Sequence, residues 1–436
     1  MPRFLIQNFG CRASQADGAA LESQLALRGF AGAPDAAGAE LVILNTCTVT
    51  AAADEDVRKA VRQVHRQNPE ARILITGCYA QRAPEELAAL PGVRWVVGNS
   101  HKTAIPDLIG DSFTRPETDY HGEIHVGDIY ARQDFLAAPV DDAGGDRSRP
   151  NLKVQDGCGN RCSFCIIPSV RGRSRSASPD DVVAQVTNLA ARYPEVVLSG
   201  INLGRWGREQ GVNLRLTVLL RRLLDETEIQ RIRLSSIEPM DWSDDLFELM
   251  AESPRFARHV HAPLQSGSDS VLRRMRRKYR VRHYEDRLRL ARRLMPDAAI
   301  GADVMTGFPG ETDAEFEESR AFIEALPFTY LHVFTYSERP GTEAFAATDH
   351  VPIRTRRDRT AILRALAAQK NLAFRQSMVG RTLSVVTLSK PGASLSSNYI
   401  PVQLATPRAP NVILPVVVGS VADSGVSERG CFPLLA

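Results

Sequence analysis

The sequence predicts an α/β protein: an N-terminal parallel-sheet α/β domain over residues 1–125, a linker over 126–147, a complete or partial α/β barrel over 148–376, and a small all-β domain over 377–436. Three observations carry this. Apolar strand-like runs alternate with helical stretches through the first hundred residues, and again after residue 150. The stretch "APVDDAGGDRSRP" between the two series has linker composition. Past residue 377 the helical pattern stops, and apolar runs are separated by Gly, Pro and Ser turns.

In the first series "RFLIQNFG" reads as a strand and "DGAALESQLALRGF" as a helix ending at Gly29. "ELVILNTCT" is the second strand, and "DEDVRKAVRQVHRQN" a helix stopped by Pro69. "RILITGCYA", a short helix around "APEELAAL" and the strand "VRWVVGN" follow. In the second series "NLKVQDG", "EVVLSGI", "RIRLSSI", "HVHAPL", "AIGADVMTG" and "YLHVFTY" are strands with helices between them, and Gly307 to Glu311 reads as a turn. A basic helix, "RTRRDRTAILRALAAQKNLAFRQSM", leads to the strands "RTLSVVTLS", "NYIPVQLA" and "VILPVVVGSVA".

At 436 residues the chain exceeds one ordinary core. No run approaches eighteen apolar residues and the opening lacks a signal-peptide pattern, so no membrane association and a cytoplasmic location are expected. A net charge of +3 confines any nucleic-acid surface to local clusters. The cysteines number seven, an odd count at irregular spacing, which argues for metal or redox chemistry over a disulfide framework.

Cys11, Cys47 and Cys78 each follow the apolar run of a strand. Carboxyl ends of strands in a parallel sheet form the ligand crevice, so the three thiols should converge on one edge. Cys158, Cys162 and Cys165 lie within "CGNRCSFC". Helical spacing would put these sulfurs on one face. Gly157, Gly159 and Asn160 favour instead a loop wrapped around something. A structural zinc site would want a fourth ligand, whereas a [4Fe–4S] cluster on three thiolates keeps one iron open. Cys431 reads as a spare thiol.

"CGNRCSFC", with Phe164 before its last cysteine, resembles the radical S-adenosylmethionine (SAM) motif. The resemblance implies that the three thiolates hold a [4Fe–4S] cluster whose open iron chelates SAM. Reduction through the cluster then cleaves SAM to methionine and a 5′-deoxyadenosyl radical. The central barrel is by the same resemblance a radical SAM barrel.

Nearly the whole chain is similar to the methylthiotransferases, through "FGCRASQAD", "LNTCTVTAAAD", "ITGCYAQR", "VVGN", "VQDGCGNRCSFCIIPSVRGRSRS", "VVLSGINLG", "LSSIEP", "PLQSGSD", "DVMTGFPGET" and "FTYSERPGT". In that family the N-terminal cysteines, here Cys11, Cys47 and Cys78, bind a second [4Fe–4S] cluster carrying the sulfur to be delivered. One SAM supplies the methyl group and another the radical, so that C–H becomes C–SCH3. The pieces are most similar to the branch acting on N6-threonylcarbamoyladenosine beside the tRNA anticodon. The isopentenyladenosine branch is the alternative, and a zinc-clipped RNA-binding protein is the rival of another class. Arg12 stands where the ribosomal-protein branch has proline, Ser14 where the family usually has Asn, and Gly18 where a hydroxyl residue is common. The expected partners are the tRNA anticodon stem–loop and an electron donor such as flavodoxin or ferredoxin.

Gly200, Asn202, Ser236, Gln265 and Asp303 fall at or past strand ends, where barrel residues face a bound cofactor; Phe164 joins them from the cysteine loop. His259 and His261 alternate in a strand and read as structural. "RGRSRS", with Arg171, Arg173 and Arg175, and "RRMRRKYRVR", with Arg276, Arg277 and Lys278, are candidate phosphate-binding segments; the second also reads as a solvated helix face. An adenine must be unstacked to reach such a site. The C-terminal domain resembles the TRAM module, most closely in "SSNYIPV", but carries few cations.

Overall fold

A computed structural model describes residues 1–113, 122–131, 148–211 and 213–430. Most of the expected linker, together with Cys431, lies outside the described residues. The chain divides into two compact units. The first comprises Met1–Asp141, Lys153–Ala177 and Ser337–Phe345; the second comprises Asp142–Leu152, Ser178–Tyr336 and Ala346–Ala436. This division cuts across the boundaries read from the sequence. The cysteine loop and a short late segment belong with the N-terminal sheet, and the C-terminal β domain belongs with the barrel strands.

The first unit is built on a parallel six-stranded sheet, β1 (Arg3–Asn8), β2 (Ala31–Gly32), β3 (Leu41–Thr46), β4 (Arg72–Gly77), β5 (Val93–Gly98) and β6 (Glu123–His125), in the order β2-β1-β3-β4-β5-β6. β3 and β5 are buried along their whole length, which their unbroken apolar runs require of strands covered on both faces. One layer packs Val57, Val61 and Val64 of the helix Ala51–Gln67 on the sheet, and the other packs Leu21 and Leu25 of the helix Arg12–Leu27. β2 and β6, of two and three residues, escape a sequence reading because they are too short to show a period. The unit also holds β7 (Asn151–Asp156), except its first two residues, with β8 (Arg175–Ser176) antiparallel to it.

In the second unit β9 (Glu195–Gly200) pairs in parallel with β10 (Arg231–Leu234). β11 (His259–His261), β12 (Ala299–Thr306) and β13 (Tyr330–Thr335) form a parallel sheet in that order. A parallel bridge from Ile232 to Phe256 and a bond from Ile237 N to His261 O at 3.0 Å link the two sets. The strands with their intervening helices make a partial barrel, as expected. Glu195, fully buried, is held by Arg233 Nε at 2.8 Å and Arg231 Nη1 at 3.3 Å. The turn at "GFPGE" forms as expected, with Gly307 N donating to Glu311 Oε2 at 2.7 Å.

The C-terminal segment is a closed five-stranded barrel of β14 (Thr382–Thr387), β15 (Ala393–Ser396), β16 (Pro401–Gln403), β17 (Ile413–Ala422) and β18 (Gly425–Glu428), in the order β14-β15-β16-β18-β17. Its core is Leu383, Val385, Val402, Val416, Val418 and Val426. The piece "SSNY" docks this barrel within its own unit. Arg233 donates to Ser396 O at 3.0 Å, Asn398 Nδ2 donates to Asp297 O at 3.1 Å, and Tyr399 stacks on His259 with ring centroids 4.5 Å apart. Among the described residues no helix is long and apolar enough to cross a membrane.

Candidate active site

Cys11, Cys47 and Cys78 lie at the C-terminal ends of β1, β3 and β4, which are neighbours in the sheet, so the thiols gather at one edge as their spacing predicts. Gly10 makes the approach possible. Its φ of 110° suits glycine, and a Cβ there would stand 2.5 Å from Cys47 Cβ and 2.9 Å from its sulfur. Cys47 and Cys78 are buried while Cys11 is exposed, so the group opens on one side. Asn99, just past β5, donates to Cys78 Sγ at 3.6 Å and to Val170 O at 2.8 Å. Thr48, beside Cys47, donates to Asp54 Oδ1 at 2.7 Å, and Asp54 is clamped by Arg82 at 2.9 Å and by Arg339.

The second cysteine set follows β7 in the same unit. Residues 157–166 are an irregular loop, not a helix. Gly157 has φ 70°, and a Cβ on it would meet the carbonyl oxygen of Arg173 at 2.0 Å. Cys158 N donates to Gly172 O at 3.0 Å, Asn160 N to Cys158 Sγ at 3.4 Å, and Cys165 N to Cys162 O at 3.1 Å. All three cysteines, with Phe164, are partly exposed at the loop.

A buried ionic cluster ties the two sets together inside this unit. Arg171 Nη2 donates to Asp17 at 3.1 Å and to Ser14 Oγ at 3.3 Å, while Nη1 donates to Asp156 at 2.9 Å. Ser14 Oγ lies 3.7 Å from Cys11 Sγ, and Asp156 Oδ1 accepts the N–H of Gly157 at 2.8 Å. Lys102 and Lys153 also bind Asp17, and Lys153 and Arg175 approach Asp156 at 3.2 and 3.6 Å. Burial pushes the Asp17 carboxyl up, but Lys102, Lys153 and Arg171 outweigh it and hold the group below the usual carboxylate range. Ser14 thus positions the loop after Cys11. At Gly18 a Cβ would fall 1.9 Å from the Asn8 side-chain amide, so a larger residue there would have to displace Asn8 from its hydrogen bond with Asn45.

The donor sets suit iron–sulfur clusters. Burial first, and then the neighbouring Cys78 and Cys11, push the Cys47 thiol up to about 12. A soft cationic group that takes all three cysteines as thiolates would offset this cost to Cys47.

Several cofactor candidates gather in the second unit. Gly200 ends β9 and Asn202 follows it. Ser236 Oγ lies 2.7 Å from His261 Nδ1, and His261 Nε2 lies 3.5 Å from Asp303 Oδ1, with His332 Nδ1 3.3 Å from the same oxygen. Burial raises the Asp303 carboxyl, but His261 and His332 outweigh it and hold it below the usual range. His261, read as structural, therefore joins Ser236 to Asp303, and Asp303 sits inside β12 rather than at its end. Gln265 has φ 63°, a left-handed conformation costing about 1 kcal/mol or more for a non-glycine residue. It is fixed by Gln265 N to Asp303 O at 2.8 Å and Met305 N to Gln265 O at 2.9 Å.

Three of the expected RNA contacts are corrected. Arg171 and Arg175 are buried in the ionic cluster, and Arg277 is buried against Glu238 and Tyr279. Arg173, Arg276 and Lys278 are exposed. Lys102, Lys153 and His332 were not legible as site residues, because Asp17 and Asp303, which they meet, lie far away in sequence, whereas Asp156 stands within a quoted motif piece. The quoted motif pieces already contained Asn99, Asp54 and Arg339.

A model described as the radical SAM superfamily matches residues 152–323, and one described as uncharacterized protein family UPF0004 matches residues 3–98. The chain is 38% identical over 352 residues to the threonylcarbamoyladenosine tRNA methylthiotransferase MtaB of Bacillus subtilis (strain 168), covering 80% of this chain and 76% of that protein. This chain belongs to the radical SAM tRNA methylthiotransferase family. The threonylcarbamoyladenosine tRNA methylthiotransferase MtaB of Aquifex aeolicus (strain VF5) is 35% identical to it, covering 91% of this chain and 95% of that protein. A relative of the other branch, the tRNA-2-methylthio-N(6)-dimethylallyladenosine synthase of Acidothermus cellulolyticus (strain ATCC 43068 / DSM 8971 / 11B), is 33% identical, covering 89% and 78%. Among solved structures, the radical SAM methyltransferase TsrM of Kitasatospora setae shares the fold at a TM-score of 0.59 and 17% identity, covering 79% and 77%. A radical SAM methylthiotransferase works with a [4Fe–4S] cluster and SAM, and this family acts on tRNA. The alternative of a non-enzymatic, zinc-clipped RNA-binding protein is thereby overturned.

Proposed function

We propose that this protein inserts a methylthio group at C2 of N6-threonylcarbamoyladenosine in the tRNA anticodon stem–loop. The observation that carries the methylthio chemistry is the presence of two three-cysteine sets in one compact unit, bridged by Arg171, and the similarity to threonylcarbamoyladenosine tRNA methylthiotransferases supports the choice of adenosine. Cys158, Cys162 and Cys165 would hold the cluster that binds SAM, and Cys11, Cys47 and Cys78 a second [4Fe–4S] cluster. When bound, these groups supply the one-electron cleavage of SAM and the sulfur to be delivered.

The chain's own work is to bind, orient and shield. Within the first unit Phe164 accompanies the cysteine loop; within the second unit Gly200, Asn202, Ser236, Gln265 and Asp303 are the cofactor candidates, and the Ser236–His261 hydrogen bond, with Asp303 3.5 Å from the other ring nitrogen of His261, would keep those side chains in one arrangement. Burial of Cys47 and Cys78 keeps water from one side of the sulfur site. The exposed Arg173, Arg276 and Lys278 would grip phosphates, making affinity fall with salt. A protein electron donor such as flavodoxin or ferredoxin would supply reducing equivalents.

The test is an anaerobic assay of the reconstituted protein with SAM, reductant and either of two tRNAs, one bearing threonylcarbamoyladenosine and the other dimethylallyladenosine. Nucleoside mass spectrometry should find the methylthio product on the first alone. Product on the second alone would assign the chain to the other branch.

A further inference from the structure

The loop after β9 presents two arginines anchored on one carboxylate. Arg205 Nε donates to Asp241 Oδ2 at 2.9 Å, and Arg208 Nη2 donates to Asp241 Oδ1 at 2.8 Å. The Asp241 side chain is 1% exposed, whereas those of Arg205 and Arg208 are 32% and 37% exposed. Two guanidiniums therefore share one anion and keep open faces. The neighbouring carboxylate, Glu238, is engaged by Arg277.

The arrangement is rigid. Trp206, between the two arginines in sequence, is fully buried, and Gly204 packs so tightly that a Cβ would fall 2.4 Å from Asp241 Cβ. Burial, with repulsion from Arg205 and Arg215, lowers the Arg208 pKa despite Asp241, so the pair is underneutralised. A preorganised, partly desolvated arginine pair with surplus positive charge suits a carboxylate. It is placed where a substrate would meet it, because both the Arg205–Arg208 loop and Asp241 follow the C-terminal ends of barrel strands, beyond Gly200 and Asn202.

We propose that Arg205 and Arg208 form the subsite for the threonyl carboxylate of the modified adenosine, and so select it over a neutral N6 substituent. The inference rests on the reading of the substrate given above. A dimethylallyl group carries no charge and would leave the pair facing an apolar tail, which a site built for a polar group rejects strongly.

The test measures binding of labelled anticodon stem–loops to the full-length protein by fluorescence anisotropy. One stem–loop carries threonylcarbamoyladenosine, and the other carries its primary carboxamide, which is nearly isosteric and lacks the carboxylate charge. Wild type should prefer the acid by about 10-fold to 100-fold, the worth of a charge-assisted hydrogen bond. Arg205→Gln and Arg208→Gln should each reduce that ratio toward one, and Arg208→Lys should keep part of it. Because each variant is judged by its own ratio, and Asp241 retains one arginine in each, loss of folded protein cannot imitate the result. An undiminished ratio in both Gln variants overturns the subsite while leaving the substrate reading intact. A wild-type ratio of one, with methylthio product on dimethylallyladenosine RNA, overturns the substrate reading and the subsite with it.

Discussion

The guanidinium of Arg171 does the work of a structural ion. It meets Asp17, Ser14 and Asp156 at once, although Asp17 lies 154 residues away in sequence. Removing one partner of a buried ion pair costs about 3–5 kcal/mol, because the remaining charges lose their compensation. Arg171→Met should therefore destabilise the protein by about that amount in urea titrations. Wild-type stability in that variant would show the cluster to be incidental. The six cysteines were legible because thiolates at such spacings have few structural uses. Arg171 was misread as a phosphate contact because a run such as "RGRSRS" shows charge but not the distant carboxylates that bury it.

At the scale of elements, the strands that carry the site were legible from their apolar runs, and several short ones without such a run were not. β15 and β18 have four residues each and β8 only two, so neither length nor period marks them. The cysteine loop depends on its entry from β7. Gly157→Ala would set a Cβ against the Arg173 carbonyl in a left-handed backbone, and neither the oxygen nor the loop can yield cheaply. That variant should lose about four of eight irons after reconstitution, those of the SAM cluster. An unchanged iron content would mean that the loop tolerates the shift.

The pairing of β9 with β10 carries its own pH dependence. Burial raises the Glu195 carboxyl, yet Arg233, with Arg149 and Arg231, brings it down to about 2 from its ordinary 4.5. A depressed carboxylate stabilises the fold above the unfolded value. Its contribution of about 3 kcal/mol is present above pH 4.5 and is lost as the pH falls from there toward 2. Glu195→Gln should flatten the acid limb of stability against pH in that window; an unaltered limb would contradict the assignment.

Across the whole molecule, the sequence pattern separated an N-terminal sheet, a barrel and a small β domain. It could not show that residues 153–177 and 337–345 fold with the sheet, because such contacts follow from side chains meeting at long range rather than from local periodicity. The consequence is functional, since the first unit holds all six described cysteines. The second unit holds Gly200, Asn202, Ser236, Gln265 and Asp303, together with the arginine pair on Asp241.

The most direct measurement is an iron determination with Mössbauer spectra on anaerobically reconstituted wild type and two triple variants. One replaces Cys11, Cys47 and Cys78 with Ala, and the other replaces Cys158, Cys162 and Cys165. Two independent [4Fe–4S] sites predict about eight irons for wild type and about four for each variant, with SAM perturbing the spectrum only where Cys158, Cys162 and Cys165 remain. About four irons in wild type, unchanged when Cys11, Cys47 and Cys78 are replaced, would contradict the two-cluster account.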